Sequence, residues 1–174
     1  MKLNSHGFTL IEMMIVVVIL AVLLSIATMQ FSSWKVKYSI DTQTRELLSD
    51  LSDARLGAIQ TKGSRAVFFN NATSATFRSY TTNELVSSST GRLLFVKYYS
   101  KNPILTPPLP PGGIPENIIF NSTGLTVDSS GNVLTNNQTI VAQPTGTAAA
   151  IDCVVISTTK INVGKYNNGS CVFQ

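Results

Sequence analysis

The stretch "KLNSHGFTLIEMMIVVVIL" (Lys2–Leu20) places one carboxylate, Glu12, near the start of an otherwise apolar run. From Phe8 to Phe31 Glu12 is the sole charge, and no proline or glycine interrupts the 24 positions. A helix of about 20 apolar residues crosses a bilayer, so residues 8–31 are expected to be a transmembrane helix half. A cleaved secretory signal fits less well, because its apolar region runs about 7 to 15 residues and ends in a small-residue cleavage site. A core helix of this hydrophobicity would need a larger domain around it than the remaining chain can build.

Lys2 and His6 precede the run and favour a cytoplasmic N-terminus, although Lys35 and Lys37 follow it. Cys153 and Cys171 weigh more in the orientation. Two cysteines 18 positions apart near the end of the chain read as one disulfide in an oxidising compartment. A metal site is the poorer reading, as no histidine follows residue 6. The run is therefore expected to cross a membrane once, with residues 32–174 forming a domain outside the cytoplasm.

Helical character continues past the apolar run. Ile40, Leu47, Leu48, Leu51, Ala54, Ala58 and Ile59 recur at three- and four-residue spacings, with Asp41, Arg45, Glu46, Asp50, Asp53 and Arg55 mostly between them. No proline occurs before Pro103, so the amphipathic half, residues 35–61, can continue the same helix. Gly57 and Gly63 predict its end near Thr61. Downstream, "RAVFFN" (65–70), "SATFRSY" (74–80), "RLLFVKYY" (92–99), "NIIFN" (117–121), "TIVAQ" (139–143), "DCVVIS" (152–157) and "KINVGK" (160–165) are short β-rich runs between Gly, Asn, Pro or Ser clusters. "SCVFQ" (170–174) is expected as a terminal strand. "PILTPPLPPGGIP" (103–115) cannot supply a central strand. The order predicts an α+β fold, a long N-terminal helix whose stripe packs on an antiparallel β-sheet.

Gly7, Phe8, Thr9, Leu10, Ile11 and Glu12, joined to the apolar span, resemble the class III leader and N-terminal helix of type IV pilins and pseudopilins. The resemblance implies a leader of residues 1–7, cleavage between Gly7 and Phe8 by a prepilin peptidase, and N-methylation of Phe8. It also implies assembly with other pilins or pseudopilins on an inner-membrane platform. "RELLSDLSDARLGAIQTKGSRAVFF" (45–69) is similar to the helix end and first strand of H-type pseudopilins of type II secretion and T-type minor fimbrial pilins. Gly57 departs there from the more helix-friendly residue expected. Major pilins of the family carry a helix-breaking proline where this chain has Met29, and its absence suits a minor or initiating subunit.

Glu12 then acquires a physical reason. An unpaired carboxylate in hydrocarbon costs at least ~2.5 kcal/mol, so it needs a partner. Cleavage would create one, the Phe8 amine, on the same chain or on a neighbouring subunit, and the helix N-terminus itself favours an acid. The alternative is an acid resting among lipid headgroups.

Enzymatic work has little to stand on. Asp41, Glu46, Asp50 and Asp53 are spaced like a solvated helix face, and no paired acid and base is apparent. Neither a cofactor nor a metal is expected; "VDSSGN" (127–132) lacks the alternating acids of a calcium loop and reads as a turn. After Thr61 there are eight Lys or Arg against four acids. A basic face of this kind can attract nucleic-acid phosphates, and the resemblance to T-type fimbrial pilins, some of which are associated with DNA uptake through a basic C-terminal patch, implies Lys160 and Lys165 in "KINVGKYNNG" as candidate DNA contacts. The function expected is a minor pilin or pseudopilin subunit of a type IV pilus or type II secretion filament. The alternative is a membrane-anchored module whose basic face captures DNA or a secreted substrate.

Overall fold

The structure, a computed structural model, describes residues 9–81, 84–99, 102–106 and 113–173, with the side chains of 26–30 set aside. The expected leader, Gly7 and Phe8 lie outside the described residues. The chain divides into two units, Met1–Val36 and Lys37–Gln174.

The long helix α1 runs Leu10–Thr61. Within the second unit its stripe is buried as the spacing predicts: Ile40, Leu47, Leu51, Ala54 and Ala58 are all at most 4% exposed. Ile59, expected on that stripe, is instead exposed. It lies one position past Ala58, and the 100° step of a helix turns it away from the sheets. Two polar residues, Gln43 and Thr44, are buried where the pattern showed none. Gln43 Nε2 donates to the Asn102 carbonyl, and Thr44 Oγ1 donates 2.8 Å to the Ile40 carbonyl, which satisfies both side chains.

α1 ends where expected, by a different device. Lys62 adopts φ 48°, Lys62 N bonds to Ile59 O at 3.3 Å, and Gly63 N bonds to Ala58 O at 3.2 Å. These two bonds form a Schellman motif with a lysine in the left-handed position usually given to glycine. Gly63 is required for another reason. A Cβ there would stand 2.3 Å from the Tyr80 carbonyl, so the chain can start its first strand only without one. Gly57 ends nothing. It is buried inside α1, and a Cβ would fall 2.1 Å from the Arg65 guanidinium carbon. Glycine in a helix interior costs about 1 kcal/mol relative to alanine, which makes the seating of Arg65 a feature in need of a use.

Ten strands follow among the described residues. They build two antiparallel five-stranded sheets instead of the single sheet expected. The first contains β1 (Ser64–Asn71), β2 (Ser74–Tyr80), β3 (Arg92–Tyr98), β5 (Ile118–Phe120) and β6 (Thr126–Val127), in the order β3-β2-β1-β5-β6. The second contains β4 (Ile104–Leu105), β7 (Gln138–Ala142), β8 (Cys153–Ile156), β9 (Ile161–Asn167) and β10 (Ser170–Phe173), in the order β10-β9-β8-β7-β4. β4 and β6, two residues each, are too short to show alternation in sequence. β4 comes from the proline-rich stretch and sits at a sheet edge, where a neighbouring proline removes no ladder bond.

One core unites both sheets with α1. Leu47, Leu51, Ala54 and Ala58 meet Val67, Phe69, Phe77, Ile118 and Phe120 of the first sheet and Ile140, Val154 and Ile156 of the second. The alternate residues Ala66, Phe68, Ile119 and Val127 form a smaller cluster on the other face of the first sheet with Tyr80. β1 is thus buried on both faces at its centre, and "AVFF" reads as a continuous apolar run. The sheets are stitched together where Thr126 N donates 3.1 Å to the Thr158 carbonyl and Thr126 Oγ1 donates 3.1 Å to the Ser157 carbonyl.

Candidate functional site

The first described residues supply a local answer to the acid in the apolar run. Thr9 precedes the helix, its carbonyl accepts the first helical bond from Met13 N at 3.3 Å, and its Oγ1 accepts Glu12 N at 3.3 Å. Glu12 Oε2 in turn accepts Thr9 N at 3.4 Å. This reciprocal pair is a capping box, in which two backbone donors that a helix start leaves open are satisfied by side chains. The signal, a threonine followed three residues later by a glutamate, stands in the sequence. Glu12 therefore defines where α1 begins, independently of any neighbouring subunit.

Beyond this cap the helix of the first unit presents apolar side chains to every side. Leu10, Ile11, Met13, Met14, Ile15, Val17 and Val18 are each more than half exposed, and Leu20 to Leu24 continue the surface. A helix apolar all round needs lipid or other apolar helices around it. Phe31 and Trp34 pack one turn apart with ring centroids at 6.1 Å, close to Lys35 and Lys37, a composition that suits the edge of an apolar layer. Among the described residues no helix is long and apolar enough to cross a membrane. The continuously described side chains, residues 10–25, would reach only about 24 Å at 1.5 Å per residue, against roughly 30 Å of hydrocarbon. The expected span over 8–31 also draws on residues 8 and 26–30, which lie outside that description.

In the second unit Cys153 and Cys171 are joined by a disulfide, with Cα atoms 6.1 Å apart. The bridge links β8 to β10 across the intervening β9, at Gly164, which pairs with both Cys153 and Phe173. A Cβ on Gly164 would meet the Val172 carbonyl at 2.2 Å and Cys171 Sγ at 3.1 Å. The glycine is what lets the bridge and β10 close over this strand. Replacing both cysteines by serine is expected to lower stability by roughly 3 kcal/mol, the loop-closure contribution for this separation. A reversible denaturation curve measured on the full chain would show it; an unchanged midpoint would refute it.

The helix acids prove less solvated than their spacing suggested. Asp41 Oδ1 accepts Ile151 N at 2.9 Å, anchoring the loop before β8. Lys97 Nζ on β3 lies 3.2 Å from Glu46 and 3.5 Å from Asp50. Burial raises the Asp50 carboxyl above its usual range even though Lys97 pulls it down. These contacts fasten α1 to both sheets, which spacing along one helix cannot reveal.

The two candidate DNA contacts are not brought together. Lys160 is exposed in the β8–β9 turn, beside Arg55, Leu56 and Ile59 of α1. Lys165 stands five residues further, about 16 Å along an extended strand. Its Nζ donates 2.6 Å to Asp152 Oδ2 and 2.8 Å to the Thr147 carbonyl. With its charge matched by a wholly buried carboxylate, Lys165 has a structural duty in place of the phosphate contact expected of it. Asp128 sits in the expected turn. Its carboxylate accepts Asn132 N and Ser130 N, and the bonds from Asn132 first of all hold it below the ordinary carboxylate range.

Comparison with known proteins finds two partial matches. The prokaryotic N-terminal methylation motif matches residues 2–28. Over 57 residues the chain is 44% identical to a probable minor fimbrial protein of Dichelobacter nodosus, a match covering 33% of each chain. The chain thus spans a third of the length of that relative. No solved structure matches it. The motif and the fimbrial relative support the type IV pilin family.

Proposed function

We propose that this chain is a minor subunit of a type IV pilus or of the related filament of type II secretion, working by assembly and not by catalysis. The observation that carries the reading is the methylation motif at 2–28 standing on a helix that begins with a Thr9–Glu12 capping box and continues as an uncovered apolar surface. In this reading a prepilin peptidase removes residues 1–7, Phe8 becomes the methylated N-terminus, and residues 8–31 hold the chain in the inner membrane until it enters the filament. Its partners are other pilins or pseudopilins and the inner-membrane assembly platform. The fimbrial relative favours a pilus over a secretion filament, and the H-type and T-type resemblance keeps both minor classes in play.

Capture of DNA through Lys160 and Lys165 is the weaker reading, because the charge of Lys165 is matched within the fold. Deletion of the gene followed by parallel assays of piliation, secretion and transformation tests the assignment. A loss of piliation or secretion supports it, and a loss of transformation with normal filaments moves the function to capture. The processing step has its own prediction. Intact mass measurement of the native protein should give a chain that starts at a methylated Phe8, and a chain retaining Met1 or Lys2 refutes the leader.

A further inference from the structure

Arg55 of α1 and Lys160 of the β8–β9 turn line one surface groove of about 470 Å³. Its floor is apolar, made by Ile161 with Leu56 and Ile59, both exposed. No carboxylate lines it, Asp53 of the same helix included. On the other face of the first sheet, where Phe68 and Ile119 cluster apart from α1, a hollow of about 380 Å³ is lined by two carboxylates, Glu116 and Asp128, and by no cation. Phe68, Val86, Ile119 and Leu134 give it an apolar lining as well. Gln138, which also lines it, has a buried Oε1 without a donor. Arg55, Lys160, Glu116 and Asp128 enter no ion pair with any described residue. The two carboxylates are bonded to neutral donors, Glu116 Oε2 to Gln138 Nε2 at 3.4 Å and Asp128 to Asn132 N and Ser130 N. Their hydrogen bonding is met in part and their charge is not cancelled.

We propose that a second copy of this chain docks head to tail, the Arg55–Lys160 groove of one copy seated over the Glu116–Asp128 hollow of the next. Each face offers what the other lacks. Two cations without an acid meet two acids without a cation, and both pairs stand on apolar ground whose contact removes further area from water. Matched potentials steer such an encounter and exclude like-charged pairings. Lys160 carries its ammonium on a flexible four-carbon stem with three donors, and the unpartnered Gln138 Oε1 is an acceptor for one of them. Because the two faces differ, the contact is heterologous: it leaves a free groove at one end and a free hollow at the other, so further copies can add. All of these residues belong to the second unit, and the contact stands whether or not the chain enters a pilus.

The test uses the full chain in detergent micelles, with isotope-labelled and unlabelled chains mixed in equal amounts and treated with a carbodiimide that couples an amine directly to a carboxylate. Peptide mass spectrometry is expected to find Lys160 joined to Glu116 or Asp128 in pairs with one labelled and one unlabelled half. Salt of about 0.5 M should suppress the coupling, since it screens charges beyond a few ångströms. Lys160→Glu and Glu116→Lys, both at exposed positions, should each weaken self-association in sedimentation at least about tenfold, because each sets like charges against one another. Lys160→Glu with Glu116→Lys in the same chain should recover most of that loss. Association through the apolar part of α1 would be indifferent to all three variants and would give no such cross-link. The proposal is overturned if cross-links form only within single chains or not at all, which would assign the two faces to other occupants. It is equally overturned if charge reversal leaves self-association unchanged or if the double reversal fails to restore it.

Discussion

Lys165→Met is expected to lower the stability of the chain by about 3–5 kcal/mol, the cost of leaving a buried carboxylate without its partner. Asp152 is 0% exposed, and its two oxygens accept Lys165 Nζ and Tyr166 N at 2.6 Å each. Methionine keeps the length and apolar stem of lysine but removes the ammonium, so the packing of β9 survives and the charge of Asp152 does not find a substitute. The Thr147 carbonyl loses its donor as well. Changing both partners, Lys165→Met with Asp152→Leu, should recover a large part of the loss, because no orphaned charge remains in the core. Denaturant midpoints of wild type, single and double variants decide the matter. A single variant within 1 kcal/mol of wild type, by the scale set for surface pairs, would mean that water reaches Asp152 and that the pair is ordinary.

Glu12→Gln is expected to leave the helix start intact and nevertheless abolish or strongly reduce entry into filaments. Glutamine can serve at the third position of a capping box, so the bonds with Thr9 can persist. In the filament proposed above, what it would lack is the negative charge to meet a Phe8 amine in a poorly hydrated bundle, where an unpaired ion is costly. Glu12→Ala removes both the cap and the charge, and its cap loss should cost about 0.5–2 kcal/mol of helix stability. Neither variant should impair membrane insertion, since each makes the run more apolar. Counting the variants in purified filaments separates the two roles of this residue. If Gln enters at the wild-type level while Ala does not, the acid is there for the helix cap, and charge pairing between subunits is not its reason.

The extent of α1 was legible because a 3.6-residue period over Ile40, Leu47, Leu51, Ala54 and Ala58 records which side of one segment avoids water. The same holds for the strands, whose alternation marks "RAVFF" or "CVVI" as half or fully buried wherever they end up. The disulfide followed from two cysteines and a terminal strand. Glu12 was half legible. Its charge stands out against the apolar run, whereas its bond to Thr9 depends on the chain actually starting a helix there.

Other features could not be read from any one segment. Which strand pairs with which is set by backbone bonds common to all residues, so nothing in "NIIFN" shows that it joins β1 while "PIL" joins β7. That choice divided one expected sheet into two. Gly57 read alone is a weak helix residue, and Lys165 read alone is a solvent-facing cation. Their meanings come from Arg65, eight residues on and across a turn, and from Asp152, on the neighbouring part of the fold. By itself the sequence determined the elements and the faces they bury, because those depend on the spacing of side chains along one backbone. The tertiary structure alone decided the pairings, the seat of Arg65 and the neutralisation of Lys165, because each depends on which distant groups share a space from which water is excluded.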